Sequence, residues 1–261
     1  MTGRSFTARL LPFFAMVRRA FSALLDRSMP KPYIPLGLLG RYTMGGKAAL
    51  RYYYFDNTLR DREPIVYAAP QVDRLMAQAA KRDRFYYGEI DEWLYQALDE
   101  FGVRGQTVAI FGSENPVYES ICLQYGGKPV TLEYRKIVAE DPRLLAMTPG
   151  EYERNPVPCD AAFSISSFEH DGLGRYGDPL CPEGDLIAMD KAKRMLRPGG
   201  VLYLSVPVGR DACIWNSHRI YGKHRLPLLM KGWDLVKSFG FEEGILARKG
   251  WIQPVFVLKK P

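Results

Sequence analysis

Histidine and cysteine are scarce in this chain, and neither is spaced for metal or disulfide chemistry. The four cysteines, Cys122, Cys159, Cys181 and Cys213, stand 37, 22 and 32 residues apart with no CxxC pair. That excludes a zinc knuckle and a dithiol redox centre, and points to free or buried thiols in a reducing compartment. The three histidines form no HxxxH or HExxH pair, so no metal site is expected. No apolar run reaches the roughly 20 residues that a bilayer-spanning helix needs, and there is no internal repeat or low-complexity tract. Acidic residues are nearly absent from one end. Residues 1–60 hold ten Arg and Lys against Asp26 and Asp56, which leaves the rest of the chain at −1 out of a total of +7. A nearly neutral domain with a basic leader argues against nucleic acid as the partner of the main domain.

Within the leader, Leu10, Phe13, Phe14, Val17, Phe21, Leu24 and Leu25 recur at helical spacing behind Pro12, which predicts a basic amphipathic helix in residues 1–30. Several roles stay open for it. Its apolar face could lie among anionic headgroups, a peripheral membrane contact through residues 5–28. Residues 1–28 could be an organelle transit peptide or a short signal, or the helix could pack on the main domain. The expected location is cytoplasmic, peripheral at a membrane under the first of these. Prolines and glycines from Pro30 to Gly46 predict a connector with little regular structure over residues 31–60. Residues 61–106 read as a helical segment packing on the core, with a helix from Glu89 to Gly102 that buries Trp93, Leu94, Ala97, Leu98 and Phe101.

From residue 107 to 261 apolar runs alternate with helices. Thr107 to Phe111, Lys128 to Tyr134, Cys159 to Ser166 and Gly200 to Val206 read as strands, and Val117 to Tyr125 and Asp185 to Leu196 as helices. Gly232 to Phe239 reads as a further helix. Phe241 to Ala247 and Gln253 to Lys259 read as a closing antiparallel hairpin turning at Lys249-Gly250. The fold class is therefore α/β, a Rossmann-like arrangement with a mainly parallel sheet and a C-terminal hairpin, plus a helical N-terminal extension.

Open α/β sheets bind ligands at the C-terminal ends of their strands, and three segments there carry chemistry. Gly112, after the first strand, suits a loop that approaches a cofactor closely, with Ser113 and Glu114 beside it. The full GxGxxG turn is absent, which weighs against a dinucleotide-dependent dehydrogenase. Glu133 ends the second strand about 20 residues beyond the glycine, where a carboxylate can accept both hydroxyls of a ribose. The loop from Ser166 and Ser167 onward gathers Glu169, His170, Asp171, Arg175, Tyr176 and Asp178. His170, its pKa raised or its ring oriented by Glu169 or Asp171, is the candidate general base. Asn216, His218, Arg219 and Arg225 form a second polar patch suited to a sugar hydroxyl or a phosphate.

The runs GSENPVYE, LEY, SISSFEHDGLGRYGDPL and LRPGGVLYLSVPVG together resemble the family known as domain of unknown function 268, which is grouped with S-adenosylmethionine (SAM) methyltransferases of class I. The resemblance covers roughly residues 107–225. It implies the class I methyltransferase fold, SAM as cofactor, and a site around Gly112, Glu133 and Glu169 to Asp178, without naming a substrate. An acid two residues before the glycine and a second glycine two after it, usual in such enzymes, are replaced by Ile110 and Glu114. The leading expectation is methyl transfer to a small polar or glycan-type acceptor. Gly112, Ser113, Glu114, Glu133, Ser166 and Ser167 would hold the cofactor, and Arg175, Tyr176, Asp178, Asn216, His218 and Arg219 the acceptor. The alternative is a non-catalytic module of the same fold, docked on a membrane or protein partner by its basic N-terminal helix.

Overall fold

Short apolar runs, each closed by a glycine or a polar turn, build the centre of the molecule. The computed structural model describes residues 32–55, 57 and 63–261. The elements in chain order are α1 (Leu36–Tyr42), β1 (Ala49–Tyr52), β2 (Ile65–Tyr67), α2 (Ala69–Ala80), α3 (Glu89–Phe101), β3 (Thr107–Phe111), α4 (Val117–Gln124), β4 (Lys128–Leu132), β5 (Ile137–Ala139), β6 (Leu145–Met147) and α5 (Pro149–Arg154). They continue with β7 (Cys159–Ile165), α6 (Gly184–Met195), β8 (Leu196–Ser205), β9 (Val208–Gly209), β10 (Ala212–Trp215), β11 (His218–Ile220), α7 (Leu226–Leu229), β12 (Asp234–Phe239), β13 (Trp251–Ile252) and β14 (Val255–Lys259). The expected basic helix of residues 1–30 lies outside the described residues, among which no helix is long and apolar enough to cross a membrane.

The main sheet has seven strands in the order β12-β14-β8-β7-β3-β4-β6. Neighbours from β6 through β8 are parallel, while β14 runs antiparallel between β8 and β12. Numbered along the chain within this sheet, the order is 3-2-1-4-5-7-6 with the seventh strand reversed, the class I methyltransferase fold. The strand period of two divides the core between the two faces. Val108, Ile110, Ala161, Phe163, Tyr203, Val255 and Val257 pack with Leu94 and Leu98 of α3 and Ile121 of α4. Ala109, Ala162, Leu202, Leu204, Phe256 and Leu258 pack with Ala188, Met189 and Ala192 of α6. In the LRPGG run, Gly199 takes φ +75°, and between Cys159↔Leu196 and Ala161↔Val201 four residues of β8 stand against one of β7. The run is thus a bulge at the strand entry, following α6 directly.

Three differences from the sequence reading have physical causes. Gly232 to Phe239 is not a helix. Residues 234–239 form β12, whose backbone groups pair with β14. The hairpin partner is therefore β12 and not Phe241 to Ala247, where residues 243–247 form a 3₁₀ turn. Tertiary pairing overrides the helical spacing, since the sheet edge beside β14 offers a ladder that an isolated helix would not use. Leu145–Met147 is a sheet strand that three residues of weak pattern do not announce. The expected connector holds α1 and β1. Ile34, Leu38 and Tyr42 pack on Leu173, Cys213 and Trp215, β1 pairs with β10, and the Tyr42 hydroxyl donates to the Gly172 carbonyl at 2.5 Å. This segment buttresses the loop that follows β7.

Candidate functional site

Adjacent parallel strands β4, β3 and β7 end on the same side of the sheet. Where the connections leave in opposite directions a cleft opens, because their loops cannot cover the gap. It encloses about 960 Å³ and is lined by Gly112, Ser113, Glu114, Glu133, Ser166, Ser167, His170, Asp171, Arg175, Tyr176 and Asp178. These eleven expected residues, drawn from both halves of the domain, come together.

Gly112 has φ +67°, and a Cβ there would collide with the Ser167 side chain. The space freed by the missing side chain is thus taken by Ser167, which closes the floor between the two strand ends. Ser113 is turned inward. Its hydroxyl accepts from Tyr67 at 3.0 Å and donates to Glu119 at 3.0 Å, while its N–H donates to Glu133 Oε2 at 3.0 Å. The role expected for its side chain at the cofactor is therefore a structural one. Glu133 Oε1 accepts from the Arg135 N–H at 3.3 Å, so two backbone donors fix the carboxylate at the cleft wall. Burial raises its pKa, against the pull of those N–H groups. Glu114 is exposed at the cleft.

Beyond β7, Ser166 takes a left-handed φ of +53°, and its hydroxyl donates to Glu169 Oε1 at 2.8 Å. Such a backbone is strained for a residue other than glycine and is held by its surroundings. Glu169 is fully buried beneath the loop and does not line the cleft, so its expected place among the reacting groups is not observed. Burial raises its pKa to about 7, against its own backbone N–H and the Ser166 hydroxyl, and its Oε2 has no hydrogen-bond partner among the described residues. Asp178 accepts from the N–H groups of Gly172 (2.7 Å), Gly174 (3.1 Å) and Tyr176 (3.3 Å), folding the loop around itself. Burial and the neighbouring Asp178 push Asp171 up to about 8, with Arg219 opposing.

His170 corrects the expectation of a raised pKa. Burial drives it down to about 3, against the Ser217 carbonyl 2.5 Å from Nδ1, and Arg175 and His218 add to the depression. With Nδ1 donating to that carbonyl, Nε2 is left as an acceptor at the cleft. Glu169 Oε1 stands 3.8 Å from Nε2, too far for a hydrogen bond.

The second polar patch does not reach the cleft. Arg219 is buried and donates to the carbonyls of Asp171 (2.6 Å), Glu169 (3.3 Å), Pro182 (3.2 Å) and Cys181 (3.3 Å). Arg225 forms a fork on Asp185 at 2.6 and 2.8 Å. Burial alone would raise Asp185, but Arg219 and Arg225 hold it below its ordinary value. Buried Asn216 accepts from the Phe55 N–H at 2.5 Å and donates to the Leu173 carbonyl at 3.4 Å. His218, which burial pushes down to about 4, contacts Ser217 Oγ through Nδ1 at 2.9 Å. These residues brace the loop and are not placed to touch an acceptor. The sequence reading missed the aromatic wall of Phe85, Tyr86, Tyr87 and Tyr134, and the basic rim of Lys191 and Arg194. The Phe85-Tyr86-Tyr87 run just ahead of α3 was the available signal for it.

The family model described as Caenorhabditis protein of unknown function, DUF268, matches residues 105–246, a span that contains Gly112, Glu133 and the whole Ser166 to Asp178 loop. The chain belongs to this family. Membership in DUF268 brings no substrate with it, and no curated protein matches the chain. Among solved structures the chain is similar to Burkholderia thailandensis 1,6-didemethyltoxoflavin-N1-methyltransferase at 16% identity, over 74% of this chain and 91% of that one, with a TM-score of 0.49. It is similar to a methyltransferase from Pyrococcus furiosus at 16% identity, over 74% and 99%, with a TM-score of 0.41. TehB from Haemophilus influenzae is 11% identical over 64% and 61%, with a TM-score of 0.43.

Proposed function

We propose that the protein is a SAM-dependent methyltransferase acting on a small polar acceptor, a glycan hydroxyl being one such group. The observation that carries this reading is Glu133. It is a partly buried carboxylate at the end of β4, pinned by the Ser113 and Arg135 N–H groups beside the glycine turn of β3. Its unoccupied lone pairs suit the two hydroxyls of a ribose, as charge-assisted acceptors. The residues fit SAM at its nucleoside end. At the amino-acid end the fit rests on the exposed Glu114, whose carboxylate suits an ammonium group, and on Ser166 and Ser167. SAM supplies an activated methyl group, and the protein's own task is orientation and proton handling.

Neutral His170 offers Nε2 to accept a hydrogen bond from the acceptor hydroxyl or amine, which orients it. A proton leaving the acceptor needs a stronger base, and Asp171 provides one. With its pKa near 8, its carboxylate form is far more basic than an ordinary aspartate. Tyr176 and Arg175 flank the acceptor end, while Asp178 shapes the loop. The test is transfer of label from methyl-tritiated SAM to pooled polar metabolites and oligosaccharides. We expect labelled product from the wild type and roughly 10²–10⁴-fold less from Asp171→Asn. No transfer by the wild type would contradict the reading, and equal transfer by both would remove Asp171 from the mechanism.

A further inference from the structure

We infer that the acceptor end of the cleft is an anion subsite built on Arg175, so that the molecule bound there carries a carboxylate or phosphate group. That the bound molecule is the methyl acceptor rests on the methyl-transfer reading, whereas the subsite stands on its own geometry. The Arg175 guanidinium lies 4.4 Å from the Phe55 ring centroid and 5.0 Å from that of Tyr176, and the residue lines the cleft. Its Nε is buried and, among the described residues, has no hydrogen-bond partner, and no carboxylate among them pairs with the guanidinium. Asp178, three residues on, has both oxygens committed to backbone N–H groups of the loop. The titratable groups that feel the Arg175 charge are His170 and His218, both held neutral, and Tyr176, whose hydroxyl burial pushes up against the pull of Arg175. Asp171, largely protonated at neutral pH, puts little negative charge beside an incoming anion.

A partly buried cation without a counter-ion is unfavourable, and proteins normally pair it. Among the described residues no carboxylate pairs with it, while the cation is rigidly held. The Asn57 N–H donates to the Arg175 carbonyl at 3.0 Å. The Phe55 N–H is tied to Asn216, which sets the Phe55 ring on the guanidinium. Both rings pack against the guanidinium, and the edge of such a group is the side that forks onto a carboxylate or phosphate. Ordering before binding lowers the entropy cost of capture. The aromatic wall of Phe85, Tyr86 and Tyr87 lines the same cleft and suits a planar body attached to that anion.

The probes are benzoate, phenyl phosphate and the neutral benzyl alcohol, titrated by ligand-observed NMR into the full chain with and without S-adenosylhomocysteine (SAH). We expect one or both anions to bind the wild type at least about tenfold more tightly than benzyl alcohol. Whichever anion binds better identifies carboxylate or phosphate. Arg175→Gln should erase the preference and Arg175→Lys should keep part of it, each leaving the Kd for SAH unchanged. Equal binding of all three probes to the wild type, or an anion preference that survives in Arg175→Gln, would overturn the subsite. So would a weakened SAH affinity in Arg175→Gln without any anion preference in the wild type, which would assign Arg175 to the cofactor. A wild type that selects anions through Arg175 but binds no SAH would keep the subsite and discard the methyl-transfer reading.

Discussion

Glu169→Gln is expected to stabilise the protein at alkaline pH and to do so far less at pH 5. The carboxyl is fully buried, with Oε1 accepting from Ser166 and Oε2 lacking a partner among the described residues. Folding raises its pKa from an ordinary 4.5 to about 7. The native state therefore binds more protons than the unfolded chain between those values. The group's contribution is fully present below pH 4.5 and is lost as pH rises through about 7. At 1.36 kcal/mol for each pH unit of that interval, the ionised form costs about 3 kcal/mol well above pH 7. Glutamine imitates the protonated acid, keeps an acceptor for the Ser166 hydroxyl and never ionises. Urea denaturation at pH 5, 7 and 9 should show a Glu169→Gln advantage growing from under about 1 kcal/mol at pH 5 to about 3 kcal/mol at pH 7 and above, equivalent to roughly 6–12 °C in Tm. An advantage that is the same at all three values would refute the assignment of a protonated Glu169.

Three further outcomes follow from other parts of the site. Arg225→Met leaves Asp185 with a weakened set of partners in the interior, and should lower stability by about 3–5 kcal/mol in thermal denaturation. If turnover uses the Asp171 carboxylate, kcat/KM rises with pH until about 8 and then levels, because the group is protonated below that value. A profile flat from pH 6 to 9 would remove it as the base. Gly112→Ala forces a left-handed backbone on alanine and a collision with Ser167. It should cost about 1–3 kcal/mol in chemical denaturation and weaken SAH binding by opening the cleft floor.

The sheet was legible because its strands are short apolar runs closed by glycine or a polar turn. Thr107 to Phe111, Cys159 to Ser166 and Gly200 to Val206 can be read from pattern alone, the last two running one residue past the observed strand ends. β12 was not legible. Its Asp234–Phe239 run is largely exposed, and only pairing with β14 makes it a strand. The cleft was legible where chemistry and strand ends coincide, at Gly112, Glu133 and the Ser166 to Asp178 loop. What the sequence could not reveal is which charged residues have their partners inside the protein. Arg219 and Arg175 look alike along the chain, yet one is saturated by carbonyls and the other lies against two rings with an Nε that has no partner among the described residues. His170 likewise sits beside two acids in sequence, while in space burial and nearby cations set its pKa.

The central claim is that Glu133 and the turn at Gly112 form a SAM site. Its most direct test is calorimetric titration of SAH into the wild type and Glu133→Gln, which can keep one acceptor for the Ser113 N–H. Losing one charge-assisted hydrogen bond to the ribose is worth roughly 1.5–3 kcal/mol. Saturable binding to the wild type is expected, with affinity weaker by about 10- to 100-fold in Glu133→Gln. No heat of binding to the wild type at millimolar SAH, or equal affinity for the two proteins, would contradict it.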